Sequence, residues 1–258
     1  LASSILKYFP QKFNRLIEPF AGSAAISIAC ATYGYTDKFL INDSNKPLSK
    51  LLELIVESPL YVADSYTNLW NEQENNSLEH YYKVRDELNN TSNPILFLYL
   101  LARCVKGAVR YNNEGLFNQS PDKRRKGTHP EKMRKSIYDI SSLLKGKSCF
   151  MSKDYKDILS VAKPGDLIYM DPPYQGVCGD RDSRYFAGID HNEFINELAN
   201  LNIKGIDYIV SYDGKCGGRV YGESLPKFLE LKQLHLDAGR STQATLLGKD
   251  DITFESLY

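Results

Sequence analysis

In RLIEPFAGSAAISIACATYGYTDKFLIND, residues 15–43, a compact apolar run (15–20) passes through small residues into a helical pattern, and a second apolar run (38–43) ends in polar residues. Buried strands and amphipathic helices leave these two signatures. Gly34 falls where a helix C-terminal cap belongs. KPLSKLLELIVESP (46–59) then reads as another helix, with Pro47 in its first turn. Strand, helix, strand, helix with short joints is the order of a doubly wound, mostly parallel α/β sheet.

Outward from this stretch the pattern changes twice. ASSILKYFP (2–10) reads as a short amphipathic helix stopped before Pro10. From about residue 60 to 144 the chain is helical or loop-like, polar and rich in tyrosine, with no buried strand in view. Strand character resumes at SCFMSKDY (148–155) and DLIYMDPPY (166–174), and QGVCGDRDSRYFAG (175–188) follows as a glycine-rich charged loop. Asp190-x-x-Glu193 has the form of a capping box and opens a helix through Leu201. DYIVSYDG (207–214) is a further strand, and LHLDA (234–238), ATLLG (244–248) and ESLY (255–258) are short β-like pieces. The expected organisation is one α/β domain in two parts, residues 1–59 and 148–258, interrupted by a mainly helical insertion over residues 60–147.

Composition narrows the class. With 258 residues, 42% apolar content and a net charge of zero, the chain suits a globular unit with an ample core. No secretory signal opens it, and its best membrane candidate, Ile95–Ala102, is too short to span and is ended by Arg103. Five scattered cysteines without metal-ligand spacing favour reduced thiols in a cytosol. The dispersed His80, His129, His191 and His235 suggest neither a metal site nor a catalytic base. Zero net charge makes no global case for nucleic acid, so that case rests on local patches.

Ligands of open α/β sheets sit beyond the carboxyl ends of the strands. Four such ends carry chemistry. In Glu18-Pro19-Phe20-Ala21-Gly22-Ser23-Ala24 the small residues let a ligand approach the main chain, or they simply make a tight strand-to-helix turn. In Asn42-Asp43-Ser44-Asn45, Asp43 is placed to bond ribose hydroxyls, or it caps the next helix. In Ser152-Lys153-Asp154-Tyr155 the acid and ring could bond and cover an adenine, or serve as a helix cap and a packed tyrosine. In Asp171-Pro172-Pro173-Tyr174 two prolines stiffen a backbone that leaves a carboxylate, carbonyls and an aromatic face on display. In sheet order and ahead of the proline loop, the first three together suggest one nucleoside pocket.

The set resembles the Dam-like adenine-N6 DNA methyltransferases, the alpha or D12 class, which use S-adenosylmethionine. Glu18-Pro19-Phe20-Ala21-Gly22 is similar to the family's E-P-F-x-G-x-G loop, Asn42-Asp43-Ser44-Asn45 to its N-D-x-N-like acidic loop, and Asp171-Pro172-Pro173-Tyr174 to its D-P-P-Y. RYNNEGLFN (110–118) resembles the R-Y-N-x-x-G-x-F-N segment of its target-recognition insertion, and GRSTQATLLG with ESLY resembles its last strands. The resemblance implies the sheet of class I S-adenosylmethionine-dependent methyltransferases. It also implies methyl transfer to a flipped-out adenine of duplex DNA in a Dam-like or restriction-modification system, with any cognate restriction endonuclease acting separately. A cytoplasmic location without membrane or metal goes with it. Two departures stand out. Ala24 occupies the second glycine's place, an exchange expected to be tolerated because alanine is small and suits a helix. The family's Gly-x-Lys-like segment, which helps enclose the methionine end of the cofactor, is not found before Leu1, so the cofactor pocket is expected to be incomplete in residues 1–258.

The chemistry of N6 fits the proline loop. That nitrogen shares its lone pair with the ring, so acceptors gripping its N–H bonds are needed to return electron density to it. Asp171 and the Pro172 carbonyl are such acceptors, and Tyr174 offers a stacking face. The expected cofactor residues are Phe20, Ala21, Gly22, Asp43, Asp154, Tyr155 and Asp171. In the insertion, DKRRKGTHPEKMRK (122–135) is strongly basic. Lys123, Arg124, Arg125 and Lys126 are expected on a flexible surface loop gripping phosphates, and Lys215 and Arg219 in a glycine-rich loop are expected to add to the grip. Arg110, Tyr111, Asn112 and Asn118 are expected to meet the DNA, Arg110 and Asn112 reading base edges from a stiff support. Methylation of an RNA base or a protein glutamine remains an alternative, since x-P-P-Y loops occur there too. A non-catalytic DNA-binding module with a decayed cofactor site is another.

Overall fold

The structure is a computed structural model that describes residues 1–74, 76–107, 109–173, 189–216, 219–221, 224–240 and 252–258. A short helix α1 (Ala2–Ile5) runs into a single 3-10 turn, Leu6–Tyr8, so the expected N-terminal amphipathic helix is broken in two. The predicted strand, helix and strand follow as β1 (Leu16–Glu18), α2 (Ala25–Tyr33) and β2 (Phe39–Asn42). A helical stretch comprises α3 (Lys46–Glu57), α4 (Pro59–Glu72), α5 (Ser77–Thr91), α6 (Pro94–Arg103) and α7 (Pro130–Leu144). The chain continues through β3 (Ser148–Met151), α8 (Tyr155–Ser160), β4 (Leu167–Met170) and α9 (His191–Lys204). It closes with β5 (Asp207–Cys216), β6 (Arg219–Tyr221), β7 (Leu234–Arg240) and β8 (Ile252–Leu257).

The strand expected over 148–155 stops at Met151, because Asp154 turns the chain into α8 by accepting from the Lys156 N–H at 2.9 Å. Asp190 opens α9 as read, its carboxylate accepting from the Glu193 N–H at 2.8 Å. Gly34 ends α2 at φ 71°, a left-handed cap. The segment ATLLG lies outside the described residues. Lys215 and Arg219 do not occupy an open loop: they lie in β5 and β6, which pair antiparallel with Cys216 opposite Arg219.

Two compact units emerge. The first holds Leu1–Asn42 and the described chain from Lys153 onward; the second holds Asp43–Ser152. In the first, β1 pairs in parallel with both β2 and β4, and β4 with β5. Antiparallel β8 then joins β5, and β7 joins β8. Every residue of β1, β2 and β4 is buried, as parallel strands covered on both faces must be. This is a mixed α/β fold, parallel through its centre and antiparallel at the β7–β8 end. Because β1 is followed by β2 on one side and flanked by β4 on the other, the winding direction reverses between β1 and β4. Doubly wound sheets bind ligands beyond the carboxyl ends at such a reversal.

The second unit is organised around an apolar α6, whose Ile95, Leu96, Phe97 and Leu100 are buried against residues of α3, α4, α5 and α7. Tyr66, Tyr81 and Tyr99 are buried in the same core. Buried tyrosines need partners for their hydroxyls, and the loops of this unit supply them. Among the described residues, no helix is long and apolar enough to cross a membrane.

Candidate active site

At the reversal point, Glu18 is the last residue of β1 and is 2% exposed. Its carboxylate turns back onto α2, accepting from the Ser27 N–H at 2.8 Å and from the Ser27 hydroxyl. Burial pushes its pKa up to about 7. The Ser27 hydrogen bonds oppose that rise, and the negative charge of Asp171 adds to it. Asp171, by contrast, is exposed at the end of β4, and Pro172 behind it is buried. Burial thus favours the neutral form of Glu18, whereas Asp171 is exposed. Tyr174 lies outside the described residues.

The turn after β1 departs from the reading of its sequence. Gly22 has φ 51°, and Ala24 has φ 55°. Ala24 therefore stands outside the helix, as the left-handed N-cap of α2, and its N–H bonds the Ala21 carbonyl at 2.7 Å. The exchange expected to be tolerated as helix-compatible sits instead in a conformation that costs a residue with a Cβ about 1–2 kcal/mol. Among the described residues, no heavy atom lies within 4 Å of where a Cβ on Gly22 would stand.

Asn42 organises these loops, and it was not among the expected site residues. Fully buried at the end of β2, it donates to the Pro19 carbonyl at 2.9 Å and the Lys153 carbonyl at 3.1 Å. Its own carbonyl accepts from the Lys153 N–H at 2.9 Å. One amide thereby ties the turn after β1 to the turn before α8. The signal was present as the first letter of N-D-x-N, a polar residue ending an apolar strand. Beside this tie the Phe20 and Tyr155 rings lie with centroids 5.1 Å apart, and Phe194 packs against both. The wall continues through Tyr212, stacked on Phe194 and bonded to His191 at 2.6 Å. The Tyr155 hydroxyl is buried with no hydrogen-bond partner among the described residues.

In the second unit Asp43 accepts from the Asn45 N–H at 2.8 Å, and Asn45 caps α3 by accepting from Leu48 at 3.3 Å. The Asn45 amide donates to the Tyr111 hydroxyl at 2.8 Å, so Tyr111 stands at the acidic loop. Arg110 and Asn118 are exposed and adjacent across a small hairpin, the Asn118 N–H meeting the Arg110 carbonyl at 2.9 Å. Buried Phe117 holds this hairpin to the core, and Asn89 grips both its N–H and its carbonyl. The Asn112 side-chain carbonyl closes the hairpin turn, accepting from Glu114 and Leu116.

The basic run divides. Lys123, Arg124, Arg125 and Lys126 are exposed, with Arg125 3.8 Å from the Asp122 carboxylate, while Arg134 pairs with Asp64 and Lys135 with Asp139. The first four were expected on a flexible loop, but their backbone is braced. Carbonyls of Asp122 and Arg125 accept from Arg103, that of Lys126 from Gln73, and that of Thr128 from Tyr66. Among the described residues no group of three or more His, Cys, Asp or Glu side chains could hold a metal ion.

The protein is of the doubly wound α/β class, with a Glu-Pro-Phe turn and an Asp-Pro-Pro turn at the reversal point of its sheet. The model of the D12 class N6 adenine-specific DNA methyltransferases matches residues 1–221, and the chain belongs to that family. It is 31% identical to a DNA adenine methylase of Serratia marcescens over 67% of this chain and 62% of that protein. Against the DNA N-6-adenine-methyltransferase of Escherichia phage P1 it is 27% identical over 81% of this chain but 28% of that protein. The retron Ec67 DNA adenine methylase of Escherichia coli is 26% identical over 95% of this chain and 85% of that protein. The chain thus spans less than two thirds of the Serratia and phage proteins.

Proposed function

We propose that the protein transfers a methyl group from S-adenosylmethionine to N6 of an adenine flipped out of duplex DNA. The observation that carries this reading is the pairing of an exposed Asp171 with a buried, stiffening Pro172 at the sheet's reversal point. The first unit's side chains fit the cofactor's nucleoside half. The Phe20 and Tyr155 rings supply an apolar wall, the Tyr155 hydroxyl, without a partner among the described residues, a hydrogen-bonding group, Asp154 an exposed acid, and the Ala21–Gly22 turn a main chain of small residues. When bound, the sulfonium supplies an electrophilic methyl group.

The protein's own part is positioning. The Asp171 carboxylate and the Pro172 carbonyl accept the two N6–H bonds, which returns the lone pair to nitrogen and aims it. Preorganised acceptors of this kind act without reorganisation during the step. N6 would gain the methyl as the methyl's bond to the sulfonium sulfur breaks, leaving a neutral thioether, and one N6 proton would pass by way of the Asp171 carboxylate to water. A base inside the duplex cannot reach such acceptors, so the adenine leaves the stack. The second unit's exposed cations suit phosphate contact, and Arg110 with Asn118 suits base edges.

The test is sequencing with adenine-modification detection on DNA from cells expressing the full-length gene. Site-specific N6-methyladenine with the wild type, and none with Asp171→Ala, is the expected result. Modification persisting in the Asp171→Ala strain overturns the assignment. Methyl transfer to RNA but not to duplex DNA by the purified protein overturns the choice of substrate.

A further inference from the structure

Arg103, the last residue of α6, is 2% exposed, and among the described residues no carboxylate pairs with it. A buried cation without a counter-ion is costly unless hydrogen bonds compensate it. Here the compensation comes from one loop and from the Tyr99 side chain, while Nε has no partner among the described residues. Nη1 of Arg103 donates to the Asp122 carbonyl at 3.0 Å and to the Arg125 carbonyl, and the Asp122 N–H returns a bond to the Arg103 carbonyl at 2.8 Å. Gly127, at φ +84°, lets the loop lie so close that a Cβ would stand 3.1 Å from Arg103 Cδ and 3.1 Å from the Ala102 carbonyl oxygen.

Between these anchors stand the exposed Lys123, Arg124, Arg125 and Lys126. The carbonyls of the segment turn inward and its cations outward. The one acid of the segment, Asp122, spends its carboxylate on the Arg124 N–H and lies 3.8 Å from Arg125. Four like charges repel one another, and a free loop would let them spread. Tying them in register above a fifth, buried cation makes sense for a loop that meets a polyanion. A preset array then gains each phosphate contact without first losing backbone freedom.

We propose that Arg103 is a positioning residue for DNA binding: its grip on the Asp122 and Arg125 carbonyls holds Lys123–Lys126 at a spacing that engages consecutive phosphates. This rests on the reading of the second unit as a DNA-contacting one. The test is a double-mutant cycle on the full-length protein, with duplex affinity measured across a salt series and thermal melting recorded alongside. Neutralising Lys123 and Arg124 together (Lys123→Gln, Arg124→Gln) should lower the log–log salt slope by about 2, close to 0.9 per phosphate contact. In an Arg103→Met background the same pair of changes should lower it by less than half as much, because the cations have already lost their register. Arg103→Lys, which keeps a donor, should restore part of the coupling. If Arg103→Met does not fold, Gly127→Ala takes its place, since its methyl group presses the loop away from Arg103. Additive losses, with a lower melting point and an undiminished effect of the cation changes, overturn the proposal and leave the DNA reading standing. No effect of neutralising Lys123 and Arg124 in the wild-type background overturns both.

Discussion

The side chain of Asn42 holds the carbonyl of Pro19 at 2.9 Å, so the residue that ends β2 sets the position of the turn that follows β1. Together with its two bonds to Lys153, this uses both amide hydrogens and the amide oxygen. Asn42→Ala should strand the Pro19 and Lys153 backbone groups and cost on the order of 3 kcal/mol. Asn42→Asp should cost more, because a carboxylate would face two carbonyls. Urea unfolding checks both; a wild-type midpoint for Asn42→Ala would refute the tie.

Ala24 offers the opposite case, a substitution that should help. Glycine populates the left-handed region without a Cβ clash. Ala24→Gly is expected to stabilise the protein by about 1 kcal/mol, even after loss of a buried methyl group. Equilibrium denaturation at neutral pH measures this, and destabilisation would mean that the methyl group's packing outweighs the backbone relief.

Glu18 makes stability depend on pH in an unusual sense for a carboxyl. Its folded-state pKa of about 7 lies above the ordinary 4.5, so between these values the folded chain keeps a proton that the unfolded chain has released. The stabilising neutral form is fully present below the ordinary value and is lost as pH rises through about 7. Glu18→Gln stays neutral throughout and should gain on the wild type between pH 5 and pH 8, by on the order of 3 kcal/mol. Parallel melting curves for the two proteins over that range would show that Glu18 does not titrate as described.

Arg110 tests the division of labour in the second unit. Its exposed position beside Asn118, on a hairpin anchored by Phe117, is suited to reading an edge. Arg110→Ala should cost about 1–3 kcal/mol of discrimination between cognate and scrambled duplexes. Equal loss on both duplexes would make it a phosphate contact.

Local signals carried much of this structure into the sequence, and the failures share a cause. Asp190 and Glu193, Pro47 and Gly34 act within a few residues of themselves, so their helix ends could be read directly. The strand-helix order around β1 and β2 was readable for the same reason. The helix compatibility expected of Ala24 does not come into play, because its left-handed φ is imposed by the surrounding turn against its own preference. Arg103 read as the polar end of an apolar helix; its burial comes from carbonyls some twenty residues onward. The brace under the basic run was invisible for that reason, since backbone carbonyls leave no mark in composition. Asn42 was passed over beside Asp43 because its work is structural and its partners lie on other loops.

The position of β8 has a bearing on how the protein is made. Residues 252–257 form the strand between β5 and β7, and Tyr258 exchanges backbone hydrogen bonds with Val210 at 2.8 and 2.9 Å. On the ribosome the second unit, continuous from Asp43 to Ser152, is fully synthesised well before β8. Until β8 arrives, the edge of β5 that it covers has unpaired N–H and C=O groups, open to a wrong strand. Closing the sheet is therefore a long-range event that follows the synthesis of the second unit.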